Sequence, residues 1–233
     1  MNAQVNFGSR LWLLLTEPAK AFGELESARV RSFLLPVFVQ ILASALLFYL
    51  YYNNVDFSWY LSQLAAGVPP EQQAGITKHL TPTVMSISTV VMLFISVPIV
   101  LAISALYLYL VGKIRNLEHS FGQWFLLVAW ASMPVVLTLP VGAGALFGGD
   151  GRILPEDLNP LSLAQLLGVE DGSPWKSLLS SLTLVLLWTI FLTAAGYKRW
   201  AKVSLLQAGL VIAAPYVVIF GTWALLVFAA SAS

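Results

Sequence analysis

The chain has 233 residues, 58% of them hydrophobic and only 10% charged, with a net charge of +1. Soluble domains carry about 25% charged residues, so the composition excludes an ordinary water-soluble domain, and the near-zero charge offers no bulk field for nucleic acid. Cysteine is absent, which removes disulfides, thiolate metal sites and cysteine nucleophiles.

At the N-terminus, the apolar run Leu11–Leu15 is too short for a signal-peptide core and is soon followed by Glu17 and Lys20, so no cleavable targeting segment is expected. Thr16-Glu17-Pro18 has the form of a helix start, a cap followed by an early proline. Leu14, Leu15, Pro18, Phe22 and Leu25 recur at helical spacing, with Glu17, Lys20 and Glu24 elsewhere. That pattern predicts a short amphipathic helix, lying in the membrane interface or packed under a helix bundle. Trp12, Pro18 and Phe22 are its candidate docking residues.

A bilayer core of ~30 Å takes about 20 apolar residues as helix. Five stretches satisfy this: Ser32–Tyr52, Val84–Val111, Phe121–Phe147, Trp175–Tyr197 and Val203–Ala230. The expectation is an all-α polytopic membrane protein, with residues 1–31 as a cytoplasmic amphipathic segment and 32–230 as a five-span membrane domain. The second, third and fifth stretches are longer than needed and should tilt, kink or project. Arg10, Lys20, Arg29, Arg31, Lys113, Arg115, Lys198, Arg199 and Lys202 fall on one side of this arrangement, and Lys78, Arg152 and Lys176 on the other. The positive-inside rule then places the N-terminus in the cytoplasm and the C-terminus outside.

Two short helices are expected in the outer loops. Phe57, Tyr60, Leu61 and Leu64 follow helical spacing, stopped by Gly67 and Pro69-Pro70. Asn159-Pro160, then Leu161–Leu167 and Gly168, reads as a cap-to-stop signature. Both would lie on the surface or cover an outer cavity.

The third span holds Pro134 and Pro140, then Gly142 and Gly144. Each proline removes a backbone donor, and a bare carbonyl in lipid costs several kcal/mol. Ser132 and Thr138 are placed to satisfy the freed groups, so this span should be central, and the glycines should let another helix approach. Pro98 and Pro215 fall inside the second and fifth spans. Ser132, Pro134, Thr138, Pro140 and Pro215 are therefore candidate packing or cavity-lining residues, in a kinked helix that either lines a cavity or shapes a packed bundle.

No catalytic, cofactor or metal site is expected. HExxH, GxSxG, Walker and GxGxxG patterns are absent, His79 and His119 lie near opposite faces and read as surface residues, and no Asp, Glu, Lys or Arg lies well inside a span. Intramembrane ionisable groups mark proton and ion pathways. The hydroxyls in the spans, such as Ser88, Ser104 and Thr193, are expected to serve helix–helix hydrogen bonds.

One internal repeat stands out. Gly112 is followed by Ser120 and Gln123, and Gly196 by Ser204 and Gln207, at the same offsets. Ser-x-x-Gln is a capping box, and Gly suits a preceding C-cap. Two parallel hairpins with one turn chemistry would result, each returning helix carrying a proline, Pro134 or Pro215.

Three segments resemble bacterial members of the Yip family, the Ypt/Rab-interacting membrane proteins. They are "PAKAFGELESARVRSFLLPV" before the first span, "SFGQWFLLVAWASMPVVLTLP" in the third and "LWTIFLTAAGYKRWAKVSLLQA" across the fourth-to-fifth hairpin. The resemblance covers nearly the whole chain and implies five spans in a bacterial cytoplasmic membrane. It also implies a non-enzymatic protein acting by interaction: membrane organisation, oligomerisation or partner docking. The partners would be the bilayer and another copy or another membrane protein, with no nucleic acid. The short N-terminal segment and the missing Asp-Leu-Tyr-Gly-Pro motif of the eukaryotic branch argue against Rab binding and for the bacterial branch. The competing function is a small permease or channel with a cavity beside the kinked third span.

Overall fold

A computed structural model of the chain describes residues 7–66 and 68–231. The described residues are helical almost throughout. In chain order the helices are α1 (Phe7–Thr16), α2 (Pro18–Glu26), α3 (Leu34–Asn54), α4 (Phe57–Ala65), α5 (Pro70–Thr77), α6 (Pro82–Ile114), α7 (Phe121–Ala131), α8 (Thr138–Gly148), α9 (Leu163–Leu166), α10 (Lys176–Ser181), α11 (Leu184–Ala201) and α12 (Leu205–Ser231). Short 3-10 turns cover Val30–Phe33, Met133–Leu137 and Pro155–Leu158.

Among the described residues, four continuous or nearly continuous helices are long and apolar enough to cross a membrane: Val30–Asn54, Pro82–Ile114, Phe121–Gly148 and Leu205–Ser231. The expected fourth span, Trp175–Tyr197, is not one helix. It divides into α10 and α11 at Leu182 and Thr183. There the backbone leaves the helix to bridge Ser162 and Thr183 antiparallel, with Leu163 N–H donating to the Leu182 carbonyl at 2.8 Å and Leu184 N–H to that of Leu161 at 3.0 Å. The remaining helix, α11, has 18 residues and carries Lys198 and Arg199 in its last turn.

The chain forms two compact units. The first comprises Met1–Phe38, Pro98–Val135 and Val185–Ser233, and the second Val39–Val97 and Val136–Leu184. The first carries nine Lys and Arg against four Asp and Glu; the second carries three against seven.

In the second unit, Tyr51, Tyr52, Val55, Tyr60, Leu146 and Leu158 form a buried cluster, and the Tyr51 hydroxyl donates to the Ile153 carbonyl at 2.9 Å. Gly142 performs the close approach expected of it, since a Cβ there would stand 2.9 Å from Cδ1 of Leu47 and 3.1 Å from the Leu158 carbonyl. Gly144 does not; it faces open space.

Helix α4 forms where its apolar spacing predicts, and Asp56 caps it by accepting from Trp59 N–H at 3.0 Å and from the Ser58 hydroxyl at 2.7 Å. Those two bonds, with Arg152 at 3.3 Å, hold the Asp56 carboxyl below its ordinary value. Tyr60 is buried but Leu64 is exposed. Gly67 lies outside the described residues. Helix α4 ends at Ala65, ahead of Pro69-Pro70 as expected, and Pro70 then takes the first position of a new helix, α5, where its missing N–H costs nothing. The second outer helix is only four residues, and Ser162 caps it, not Asn159. Asn159 instead accepts from Leu161 N–H in a local turn. Gly168 does stop it, at φ +63°, with Val169 N–H closing onto the Ala164 carbonyl at 2.9 Å.

The repeated Ser-x-x-Gln pairs are both capping boxes. Gln123 N–H donates to Ser120 Oγ at 3.3 Å and Ser120 N–H to Gln123 Oε1 at 2.8 Å. Gln207 and Ser204 repeat the pair at 3.2 Å each. The glycines are not C-caps. Helix α6 runs two residues past Gly112 and α11 five past Gly196, so the matched offsets hide connections of different length. The left-handed residues that end these helices are Asn116 and Lys202, at φ 56° and 53°. Ser204→Ala is expected to cost about 1 kcal/mol by removing its cap, read as a lower melting temperature in detergent, while Ser204→Asp, itself a good cap, should retain stability.

Of the span hydroxyls, Thr89 reaches across helices as expected, to the Tyr52 hydroxyl of α3 at 3.5 Å, while others depart from expectation. Ser86, Ser88, Ser104 and Thr193 donate to carbonyls four residues back in their own helices, because that acceptor is always within reach.

Candidate functional site

The most densely built region lies in the first unit, around α7. Every residue from Trp124 to Ala131 is buried. Its apolar surface has no polar side, which is how a helix enclosed by others reads. Phe22 of α2 is fully buried, and its backbone carbonyl accepts from Trp200 Nε1 at 2.8 Å. Gly196 of α11 makes room: a Cβ there would stand 3.0 Å from Cδ1 of Phe22 and 3.1 Å from Cδ1 of Leu127. Gly112 does the same for the indole of Trp124, with Nε1 at 3.2 Å. Glycine in both apolar helices is thus a contact position, where a larger residue would push the partner ring away.

Around these contacts the rings pack on one another. Trp124 lies 5.4 Å from Trp200 and 5.7 Å from Tyr197. His119 stacks on Trp200 at 5.0 Å, with planes within 9°, and its Nε2 is 3.3 Å from Oε1 of Glu26. His119 is therefore not the surface residue expected; only 15% of its side chain is exposed. The packed face on α1 is Leu14, with Phe7 at 5.5 Å from the Trp130 ring and the Arg10 guanidinium 5.9 Å from the same ring.

The residues singled out from sequence are distributed as follows. Phe22 is buried in this cluster, Pro18 is half-buried at the first position of α2, and Trp12 is 67% exposed. Helix α2 does begin at Pro18, but Thr16 is not its cap; the cap position is Glu17, without a side-chain bond, and the Thr16 hydroxyl turns back to the Trp12 carbonyl at 2.9 Å. Helix α1 was not foreseen.

The third span breaks where its prolines predict. Helix α7 stops at Ala131, Met133–Leu137 is a 3-10 turn, and α8 resumes at Thr138. Ser132 and Pro134 are buried. The Ser132 hydroxyl donates to the Val128 carbonyl at 2.9 Å and to that of Ala129 at 3.2 Å, rather than to the Trp130 carbonyl. Thr138 is half-buried and Pro140 exposed, and both belong to the second unit. Pro215 is half-buried inside α12, in the first unit.

The charged groups of the second unit form a separate constellation. Lys176 is nearly buried, with Asp157 at 2.7 Å and Asp171 at 2.8 Å from its ammonium. Burial alone would lower that ammonium, but the two carboxylates outweigh it and hold it above its ordinary value. Among the described residues, no three His, Asp or Glu side chains are grouped to hold a metal.

Trp124, Tyr197 and Trp200 were not recognised from sequence as one cluster. The signal was the glycine in each apolar helix, which the repeat led us to read as a helix end. Against known proteins, the chain matches the Yip1 domain over residues 12–227. No curated protein and no solved structure matches it.

Proposed function

The chain belongs to the Yip1 domain family, and on that premise we propose that it is a non-enzymatic membrane protein of the bacterial type. In this reading it acts by helix-to-helix interaction inside the bilayer, first of all with further copies of itself. The observation that carries this reading is the contrast in burial among its apolar helices. In the most apolar 18-residue stretch of each, 56% of Phe121–Gly148 is buried, against 11% of Pro82–Ile114 and 6% of Leu205–Ser231. Helix α7 holds the first unit together. Helix α12 presents Leu206, Leu210, Val217, Val218 and Leu225 outward, each at least 65% exposed. Within a bilayer, helix association is driven by side-chain packing and not by water, so such a face is available to a neighbouring helix.

In this proposal α11 is a fifth span, short and with its basic last turn at the headgroups. Residues 1–31 lie in the cytoplasm, 32–230 form the membrane domain, and the C-terminus lies outside, in a bacterial inner membrane. The lysine and arginine excess of the first unit supports that orientation. Phe22 supports the reading of α2 as a helix packed under the bundle, with Trp12 of α1 left to meet lipid or a partner. The burial of Ser132 and Pro134 supports packing over a transport path at the break.

Because the chain contains no cysteine, Val218→Cys gives a single thiol on α12. Oxidation in native membranes is expected to yield a disulfide-linked dimer, and Tyr107→Cys, on the side of α6 that faces α12, should yield none. Monomer alone from Val218→Cys and from neighbouring positions around the α12 face would end the self-association reading. Cross-linking to a different protein would do the same while leaving interaction as the function.

A further inference from the structure

Helices α1 and α2 of the first unit turn opposite kinds of surface outward. On α2 the buried residues are Ala21, Phe22 and Leu25, while Lys20 and the flanking Glu17 and Ser27 are exposed. That is the order of a helix with water on its outer side. On α1 the order is reversed. Arg10 is its one charged residue, and it turns inward. Its guanidinium lies 5.9 Å from the buried Trp130 ring, and its Nε is buried with no hydrogen-bond partner among the described residues. Outward stand Trp12, 67% exposed, and Leu15, 39% exposed, with Gly8 and Thr16 exposed on the same side. A helix that lays its arginine on an indole and leaves tryptophan and leucine outside is inverted for water, where a buried guanidinium is normally paired. The same order suits hydrocarbon, where an outward charge is costly and an indole face attracts a cation.

Depth agrees with this. Trp130 follows the Ser120 cap of α7 by ten residues, a rise of roughly 15 Å, or half of a ~30 Å bilayer core. Side chains lean toward the N-terminus of their helix, which brings the ring back by about one turn and still leaves it well inside. Phe7 of α1 is 5.5 Å from that ring. Helix α2 meets the first unit nearer the Ser120 end. Glu26 reaches His119 at 3.3 Å, and the Phe22 carbonyl accepts from Trp200 Nε1 at 2.8 Å, one residue beyond Arg199. Lys20, Arg29 and Arg31 are exposed and complement anionic headgroups.

We propose that α1 is inserted in the acyl region of the cytoplasmic leaflet, with its Trp12 and Leu15 face on lipid chains, while α2 and the arginines after it stay at the headgroups. Of residues 1–31, α1 is then the part that leaves the cytoplasm. The face is continuous with the bilayer-facing surface of the span it packs on, and its only charge is withdrawn from it. The inference rests on Phe121–Gly148 crossing the bilayer with Ser120 at the cytoplasmic end. The test uses the full chain in vesicles of phosphatidylethanolamine and phosphatidylglycerol, with a nitroxide on single cysteines in this cysteine-free chain. Electron paramagnetic resonance reads its collisions with oxygen, which concentrates among acyl chains, and with a water-soluble nickel chelate supplied on both faces. The oxygen-to-nickel ratio is expected to exceed one at Trp12→Cys and Leu15→Cys and to fall below one at Lys20→Cys. Exclusion of both reagents at positions 12 and 15 would mean that protein covers the face, and would overturn the proposal. A ratio above one at Lys20→Cys would overturn the division between the two helices. Leu137→Cys, on an exposed position of the Phe121–Gly148 span, separates the two levels. A ratio below one there defeats the span reading itself. A ratio below one at positions 12 and 15 but not at 137 defeats only the insertion of α1.

Discussion

Phe22→Glu is expected to unseat α2 from the first unit. The ring is fully buried, between Leu127 and the surface that Gly196 leaves open, and removing a buried phenyl from a packed core costs about 3–5 kcal/mol. A carboxylate in its place finds an indole, a leucine and a glycine backbone, and burial of an unpaired charge adds to the cost. The cheapest response is to let α2 leave, which also breaks the Trp200 Nε1 bond to the Phe22 carbonyl. Amide exchange over Pro18–Glu26 should then rise to the rate of an unprotected segment, while exchange in α7 rises less. Trp12→Glu, on an exposed position of α1, should leave the α2 rates unchanged. Equal protection in Phe22→Glu and the wild-type chain would mean that α2 is not held by this contact.

The second large effect is expected at Lys176. Its ammonium bridges Asp157, whose side chain is 15% exposed, and Asp171, which is 79% exposed. The Asp171 contact is screened by solvent and contributes little. The Asp157 contact is largely desolvated, and removing one partner of such a pair strands the other. Lys176→Met is expected to destabilise the second unit by about 3 kcal/mol, and Asp157→Leu combined with Lys176→Met should recover most of it, since an apolar pair leaves no charge unpaired. The pH dependence has a definite sign. The folded state holds the ammonium above its ordinary value of 10.5, so this contribution is complete below that value and is lost as pH rises through the higher folded value. The wild-type melting temperature should therefore fall faster in strong alkali than that of the double variant. A single variant as stable as the wild type at neutral pH would show that the bridge contributes nothing.

How far the sequence reaches depends on whether a feature is local. The apolar runs, the stops at Gly168 and the capping boxes at Ser120 and Ser204 are set by residues within one turn of each other, and they read directly. The break near Pro134 is of the same kind, because a missing N–H acts on the preceding turn whatever surrounds it. The break at Leu182 and Thr183 is not. Nothing in Ser-Ser-Leu-Thr-Leu ends a helix; the pairing with Leu161 and Ser162, more than twenty residues earlier, does. Composition cannot register such a long-range bridge, so Trp175–Tyr197 read as one span.

The aromatic cluster was hidden for a related reason. His119 stands beside Glu118 in a polar connection, and its neighbours in sequence say surface; its neighbours in space are Trp200 and Trp124. Gly112 and Gly196 sit near helix ends and carry an identical spacing to the next Ser, which favoured a turn reading. Their work is instead steric, against Trp124 and against Phe22 with Leu127. Spacing in a sequence fixes which residues share a helix face, but not which other face arrives opposite.

Interaction through α12, the insertion of α1 in the cytoplasmic leaflet and the placement of α2 beneath the bundle all require five crossings with the basic connections on the cytoplasmic side. Single cysteines in this cysteine-free chain test that most directly. In intact cells, Glu71→Cys and Glu156→Cys are expected to react with a membrane-impermeant maleimide from outside. Arg115→Cys and Lys202→Cys should react only after the membrane is opened. Labelling of positions 115 and 156 from the same side would contradict the five-span arrangement, and labelling of 115 and 202 from opposite sides would remove either the α7–α8 span or α11 as a crossing.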